Sequence, residues 1–257
     1  MAQNLEIIGI IPARMESTRF PGKPLALIQN IPMIDHVYRN CSKSKFLKEI
    51  YVASDSNEIK TYCDSKSIPF ILTGKHETGS DRVFEAASSL NAKYIINIQG
   101  DEPMVKPNLV DSIASFMCSS SFNTKHIITA HCPCTEDELK DINNVKVVLS
   151  KANNGIFYTR KNVYSSPTSS GNPSRIKQIG VYAYCYETLK HFNELGFSGL
   201  EDLEKIEIMR WIDNGLKTTS ISSEELCYSV DTIEDLVSVE NILSHNYSKI
   251  NETEKNN

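Results

Sequence analysis

The chain has 257 residues, of which 40% are hydrophobic and 23% charged, a composition typical of a globular protein and not of a disordered one. Its formal net charge of −5 argues against a nucleic-acid-binding protein, because such proteins usually carry a basic excess. No apolar stretch is long enough to span a membrane, no signal peptide is recognisable, and the cysteines are scattered, so we expect a cytoplasmic protein with reduced thiols and no membrane contact.

In the first half of the chain, apolar runs alternate with segments of helical periodicity. The predicted strands are 7–11, 50–53, 68–72 and 94–98. The predicted helices are 32–46, 57–65, 82–90 and 107–117. Alternation at this interval predicts a doubly wound, mostly parallel α/β sheet, with the nearly all-apolar strand 94–98 at its centre.

The second half is less regular. The predicted strands are 127–130, 144–149, 155–158, 179–184 and 227–230, and the predicted helices are 200–214 and 232–243. The strands on either side of the turn at 151–154 predict an antiparallel pair, and the Ser-, Pro- and Gly-rich segment 165–174 is a candidate lid. We expect one domain at 1–245 with an antiparallel insertion at about 126–185, followed by a polar, frayed tail at 246–257.

Three cations follow the first strand within ten positions. Arg14, Arg19 and Lys23 lie in a polar loop between Pro12 and Pro24. Ligands of open α/β sheets bind outside the carboxyl ends of the strands, so these cations could hold a polyanion such as a triphosphate. The spacings of a P-loop and of a dinucleotide fingerprint are both absent. The alternative is a solvated basic loop.

Two aspartates each follow a predicted apolar strand. Asp101 comes shortly after strand 94–98, and Asp231 follows strand 227–230. Such positions can converge at one crevice, and two carboxylates near a triphosphate are a common means of holding Mg²⁺. The alternative is that each is a turn residue or a helix N-cap, and the sequence after Asp231 does have the form of a helix start.

Several motifs together resemble those of one enzyme family. The loop PARMESTRFPGKPL at 12–25 resembles the signature loop of the 3-deoxy-manno-octulosonate (KDO) cytidylyltransferases. Further segments are similar to motifs of that family and occur in the same order: 76–83, 99–103, 144–148, 158–160 and 230–236. The resemblance implies a Rossmann-like domain of the nucleotide-diphospho-sugar transferase type and a homodimer. It also implies Mg²⁺-dependent transfer of CMP from CTP to KDO with release of pyrophosphate, for lipopolysaccharide or capsule synthesis.

The resemblance also assigns site residues to this chain. The implied catalytic residues are Arg14, Lys23, Asp101 and Asp231, of which the two aspartates would bind Mg²⁺. The implied CTP contacts are Ala13, Arg14, Arg19, Lys23, Thr73, Ser80, Arg82 and Asp101. The implied sugar contacts are Gln99, Arg160, Gln178, Tyr182 and Glu207. No side chain is assigned as a general base, because the metal can supply much of the activation.

The sugar site departs from the family pattern at two positions. Gln178 stands where the family has a histidine, and Ile208 stands where a glutamine is usual. Either this is neutral variation among KDO enzymes, or the substrate is a related acid such as 8-amino-KDO. A sialic-type acid is a further alternative, although residues 15–18 lack the Gly-rich loop of those enzymes. A non-catalytic CTP-binding module is the alternative of another class, and retention of the aspartate pair together with Lys23 counts against it.

Overall fold

The computed structural model describes residues 5–17, 19–164 and 175–255, with side chains described up to residue 245. The candidate lid at 165–174 therefore lies outside the described residues. Within the described ranges, no helix combines the length and the apolar character that crossing a bilayer requires.

The described strands and helices alternate through most of the chain. The strands are β1 (Ile7–Pro12), β2 (Leu27–Ile28), β3 (Ile31–Pro32), β4 (Leu47–Ser54), β5 (Phe70–Leu72), β6 (Tyr94–Ile98), β7 (Ile127–Pro133), β8 (Lys146–Leu149), β9 (Gly155–Thr159), β10 (Ile176–Cys185) and β11 (Thr218–Ser222). The helices are α1 (Met33–Cys41), α2 (Asn57–Lys66), α3 (Gly79–Ser89), α4 (Pro107–Met117), α5 (Glu136–Lys140), α6 (Tyr186–Glu194), α7 (Gly199–Glu204), α8 (Ile208–Asp213) and α9 (Ile233–Lys255).

The main sheet is mostly parallel, as predicted. Its strand order is β11-β7-β10-β6-β1-β4-β5, so β6 lies at the centre. Strand β1 runs parallel to β4 and β6, β4 parallel to β5, and β11 parallel to β7. Strand β10 is antiparallel to both β6 and β7. The antiparallel hairpin β8–β9 joins β10 at one side, so the antiparallel region predicted at 126–185 is built into the main sheet.

Helices cover both faces of this sheet, and strand β1 shows why. Ile7 and Ile11 pack into a core that also contains residues of α1, α2 and α4. Ile10 points to the opposite face and packs with residues of α3, α6 and α8. Side chains alternate across a strand, so a strand that is buried on both faces reads as the continuous apolar run seen in the sequence.

One predicted strand was wrong. Residues 227–230 form no strand, although Cys227 and Val230 are both buried. The edge position beside β7 belongs instead to β11, whose Thr218 pairs with Ile127. The amide of Val230 donates to the carbonyl oxygen of Asp101 at 2.9 Å, so this segment follows the loop after β6 and not a neighbouring strand.

Two predicted helices have different limits. The predicted helix 200–214 is broken into α7 and α8, because Lys205 ends α7 in the left-handed conformation with a φ of 54°. The last helix was predicted to end at residue 243 and to precede a frayed tail. In the structure α9 continues to Lys255, so the helical backbone extends through most of that tail.

Candidate functional site

A polar cleft of about 200 Å³ lies beyond the carboxyl ends of β1 and β6. It is lined by Pro12, Ala13, Arg14, Ser17, Arg19, Lys23, Pro24, Met33, Glu77, Thr78, Gly79, Arg82, Gln99, Gly100, Asp101, Glu207 and Asp231. A larger cavity of about 960 Å³ lies beside the other end of β6, at Tyr94, and holds none of the predicted site residues. The cleft is therefore the candidate active site.

The loop after β1 folds back so that its lysine reaches the cleft. Gly22 adopts a φ of 74°, a conformation that glycine reaches without a steric penalty. Its amide donates to the carbonyl oxygen of Met15 at 3.0 Å, which closes the loop on itself. A short 3₁₀ turn over Lys23–Leu25 follows and directs Lys23 toward the two aspartates.

Lys23 joins the two aspartates that were predicted to converge. Its Nζ lies 2.7 Å from Asp101 Oδ2 and 3.3 Å from Asp231 Oδ1, and it donates to the carbonyl oxygen of Val230 at 3.0 Å. Burial alone would lower the pKa of Lys23, but the carboxylates of Asp101 and Asp231 outweigh it and raise that pKa above its usual value. The two carboxylates thus face one point from loops far apart in the chain.

Asp231 is also held by the start of α9. The side chain of Asp235 accepts from the backbone amides of Asp231, at 3.0 Å, and of Thr232, at 2.8 Å. Thr232 Oγ1 in turn accepts from the Asp235 amide at 3.2 Å. The sequence after Asp231 is therefore a helix start, as one alternative had it, and this capping leaves the carboxylate of Asp231 directed toward Lys23.

The donor set fits a magnesium ion. No cluster of three or more His, Cys, Asp or Glu side chains suited to a metal occurs among the described residues. Mg²⁺, however, is commonly bound by one or two carboxylates together with substrate phosphates, without an all-protein cage. Asp101 and Asp231 would supply that pair of oxygen ligands, and they share a cationic partner in Lys23.

Arg19 lies at one side of the cleft and is linked to Arg160. Arg19 Nη2 lies 3.1 Å from Asp231 Oδ1, and its Nη1 donates to Asn143 Oδ1 at 2.8 Å. Arg160 Nη1 donates to the carbonyl oxygens of Ile142 and Asn143 at 3.1 and 3.2 Å, and its Nη2 donates to that of Lys205 at 3.3 Å. Asn143, which the sequence did not single out, therefore connects the two arginines.

Two guanidinium groups of this region lack a carboxylate partner among the described residues. Arg14 Nη1 donates to the carbonyl oxygen of Glu77 at 2.9 Å. The Arg160 guanidinium donates to the three carbonyl groups already named, while the Arg160 backbone amide donates to Glu204 Oε2 at 3.3 Å. Carbonyl oxygens orient a guanidinium without neutralising its charge. Both arginines therefore keep a positive charge that can attract an anionic ligand.

Arg82 is held in a different way. Its side chain is only 3% exposed and pairs with Asp55, at 3.1 Å between Nη2 and Oδ1. Its Nη1 also donates to Thr73 Oγ1 and to the carbonyl oxygen of Gly74. Arg82 lines the cleft, so these contacts fix the wall between β5 and α3; Asp55 is a partner that the sequence did not predict.

Another wall of the cleft carries the carboxyl group of Glu207. Helix α3 begins after Thr78, whose side chain accepts from the Asp81 amide. Ser80, in its first turn, donates a hydroxyl hydrogen bond to Glu207 Oε2. Burial raises the pKa of Glu207, and the Ser80 hydrogen bond only partly offsets that shift.

Strand β10 supplies the remaining predicted sugar contacts. Gln178 Nε2 donates to Tyr182 Oη at 2.8 Å. The adjacent Gly180 amide donates to Glu102 Oε1 at 2.6 Å, and burial raises the pKa of that carboxyl to about 8. Ile208, the other departure from the family pattern, is only 1% exposed and packs in the core. It therefore does not reach a ligand in the cleft.

The predicted site residues fall into two groups. Those that line the cleft are Ala13, Arg14, Arg19, Lys23, Arg82, Gln99, Asp101, Glu207 and Asp231. Those that contact a lining residue, another site residue or Asn143 are Thr73, Ser80, Arg160, Gln178 and Tyr182. Asn143 and Glu102 were not predicted, although each lies in or beside a matched motif, and position in a motif was the one signal that could have found them.

Comparison with known proteins agrees with this arrangement. A family model described as cytidylyltransferase matches residues 8–221. The chain is 35% identical over 243 residues to a 3-deoxy-manno-octulosonate cytidylyltransferase of Acidobacterium capsulatum, covering 93% of this chain and 97% of that one. It is 37% identical over 232 residues to an 8-amino-3,8-dideoxy-manno-octulosonate cytidylyltransferase of Shewanella pealeana, covering 88% and 94%. A solved CMP:2-keto-3-deoxy-manno-octonic acid synthetase complexed with CTP superposes with a TM-score of 0.84 at 28% identity, covering 94% and 99%.

Proposed function

Because the chain belongs to the KDO cytidylyltransferase family, we propose that it transfers CMP from CTP to KDO in a Mg²⁺-dependent reaction and releases pyrophosphate. The observation that carries this proposal is the convergence of Lys23 with Asp101 and Asp231 at the carboxyl ends of the strands. We also propose that the enzyme works in the cytoplasm as a homodimer and that its product enters a lipopolysaccharide or capsule-type glycan.

In this reaction the anomeric hydroxyl of the acid attacks the α-phosphorus of CTP. The new oxygen–phosphorus bond forms as the bond to pyrophosphate breaks, and the hydroxyl proton passes to solvent water. Such a transfer asks the protein mainly for alignment and for neutralisation of phosphate charge. When bound, Mg²⁺ would neutralise phosphate charge and increase the acidity of the attacking hydroxyl, and Asp101 and Asp231 would hold it.

The cations of the first loop would hold the triphosphate. Arg14 carries a charge that no carboxylate of the described residues neutralises, and Lys23 lies between the two aspartates. Arg19 reaches the same cleft, where Asp231 and Asn143 orient it, and would add a third cation for the phosphates. Arg82, fixed by Asp55, would form the wall against the cytidine.

The other side of the cleft would hold the acid. Arg160, whose guanidinium meets no carboxylate in the part of the chain that the structure describes, suits the carboxylate that every ulosonic acid carries. Glu207, Gln99, Gln178 and Tyr182 offer acceptors and donors for sugar hydroxyls. Gln178 is uncharged near neutral pH, unlike the histidine expected at its position, and is already bonded to Tyr182.

A second candidate substrate is 8-amino-KDO. It is favoured by the 37% identity to the Shewanella pealeana protein and by Glu207, which lines the cleft and whose carboxyl group an ammonium group could approach. A sialic-type acid is a weaker alternative, because this chain lacks the Gly-rich loop of the enzymes that use such acids. A non-catalytic CTP-binding module is also weaker, because such a module would not need the aspartate pair.

The deciding experiment measures pyrophosphate release with CTP and Mg²⁺, offering KDO, 8-amino-KDO and N-acetylneuraminate in parallel. The highest kcat/KM with KDO supports the proposal. A tenfold preference for another acid, about 1.4 kcal/mol of discrimination, would identify that acid as the substrate in place of KDO.

Asp101→Asn should keep measurable CTP binding and lose turnover; equal loss of both would count against the metal assignment.

A further inference from the structure

Strand β10 carries an irregularity at the cleft. Its pairing with β7 places Ile179 opposite Ala130 and Tyr182 opposite Thr129. Between these two pairs β10 advances by three residues and β7 by one. Gly180 and Val181 are therefore extra residues in β10 and form a bulge. Bulges bend a strand and redirect its side chains, and they are over-represented next to active sites.

A buried carboxyl group holds this bulge. Gly180 has no partner in β7, and its amide donates instead to Glu102 Oε1 at 2.6 Å. Its carbonyl oxygen accepts from the Gln99 amide at 2.8 Å. Both partners belong to the loop that follows β6, so the bulge is fastened to the same loop that carries Asp101.

The fit at this point leaves no room for a larger residue. A Cβ atom on Gly180 would lie 2.8 Å from Glu102 Oε1 and 3.0 Å from Gln99 Cβ. The first distance involves the atom that accepts the amide hydrogen bond, so a side chain here would displace the carboxyl group. The position of the Glu102 carboxyl group therefore requires a glycine at position 180.

The bulge brings two predicted sugar contacts together. Gln178 and Tyr182 are four residues apart, and in a regular strand their Cα atoms would be separated by about 13 Å. In the bulged strand Gln178 Nε2 donates to Tyr182 Oη at 2.8 Å. Glu102 itself is only 5% exposed and does not line the cleft.

We propose that Glu102 is a positioning residue for the acceptor acid. By holding the bulge of β10, it sets the placement of Gln178 and Tyr182 relative to Gln99, and it does so without touching the acid. This inference rests on the proposed function for its kinetic readout, but its structural part can be measured without turnover.

The experiment compares two variants at Glu102. Glu102→Gln keeps an oxygen that can accept the Gly180 hydrogen bond, whereas Glu102→Met has similar size and no such acceptor. We expect the glutamine variant to stay close to wild type. The methionine variant should raise KM for the acid by up to about tenfold, the upper end of the scale for one lost hydrogen bond, with KM for CTP nearly unchanged.

The matched control is a buried carboxyl group away from β10. Asp35 is 2% exposed and accepts from Arg39 Nε at 2.9 Å and from Tyr62 Oη at 2.7 Å. Asp35→Leu should lower the melting temperature without changing the ratio of the two KM values. Gly180→Ala provides a second variant and should reproduce the selective rise in KM for the acid.

Hydrogen exchange of the segment 176–185 supplies the readout that needs no activity. It should quicken in Glu102→Met and stay unchanged in Glu102→Gln and Asp35→Leu. The proposal is overturned if Glu102→Met raises both KM values equally, or if the segment exchanges faster while KM for the acid stays at the wild-type value. A wild-type protein that uses no acid would refute the proposed function, and the exchange rates would still decide whether Glu102 holds the bulge.

Discussion

Replacing Arg160 with methionine should weaken binding of the acid far more than binding of CTP. The guanidinium donates to three carbonyl oxygens and meets no carboxylate among the described residues, so its charge is available to the substrate. A hydrogen bond between charged groups contributes about 1.5–3 kcal/mol, which corresponds to an increase of about 10- to 150-fold in KM for the acid. KM for CTP should change by about twofold or less, because Arg14 and Lys23, the proposed phosphate contacts, line the cleft and the Arg160 guanidinium bonds to neither.

The assay measures pyrophosphate release first at varied acid concentration with saturating CTP, and then at varied CTP concentration with saturating acid. Part of the effect could come from the three carbonyl groups that lose a donor, so the melting temperature is measured alongside. Arg160→Lys is the matched variant: it keeps the charge but cannot reach all three carbonyls. Equal increases in both KM values for Arg160→Met would refute the reasoning, as would a lysine variant as impaired as the methionine variant despite an unchanged melting temperature.

Three further changes test other parts of the structure. Lys23→Met should lower kcat about 100-fold or more, since it removes a preorganised cation from the cleft, and a rate within tenfold of wild type would exclude that role. Glu201→Gln should lower the free energy of unfolding by about 3–5 kcal/mol in urea titrations, because the buried guanidinium of Arg210, 2.7 Å away, loses the opposing negative charge. Burial lowers the pKa of His131, so the stability it contributes is present above its unfolded pKa of about 6.5 and is lost as pH falls through its lower folded value; His131→Gln should flatten the stability profile below that pH.

The parallel part of the sheet could be predicted because its strands are buried on both faces. Strands such as β1 and β6 read as continuous apolar runs separated by amphipathic helices, and those signals are local. Strand β11 gave no such signal: residues 218–222 are mostly Thr and Ser, and only pairing with β7 makes them a strand. The apolar residues of 227–230 were mistaken for a strand because they are buried without strand pairing: Cys227 packs in the same core as Cys132 of β7, and Val230 packs in a separate cluster with Met33 and Met104.

The site could be predicted as a set of residues but not as a set of contacts. Motif positions found Lys23, Asp101 and Asp231, since each lies in a segment with a distinctive pattern. Neighbours in sequence could not show that Ile208 faces the core while Glu207, one position earlier, lines the cleft. The side on which a residue lies depends on where α7 ends and α8 begins, and the left-handed Lys205 that sets this has no marker in an otherwise amphipathic pattern.

The contacts of Lys23 also bear on how the protein is made. Its hydrogen bond to Asp101 spans 78 positions of the chain, and its hydrogen bond to Asp231 spans 208. A chain emerging from the ribosome could build most of the parallel sheet, including β1, β4, β5 and β6, long before Asp231 is translated. The carboxylate pair would therefore be completed only near the end of synthesis. A nascent chain, or one truncated before Asp231, could form the parallel part of the sheet but would lack the complete Lys23–Asp101–Asp231 site.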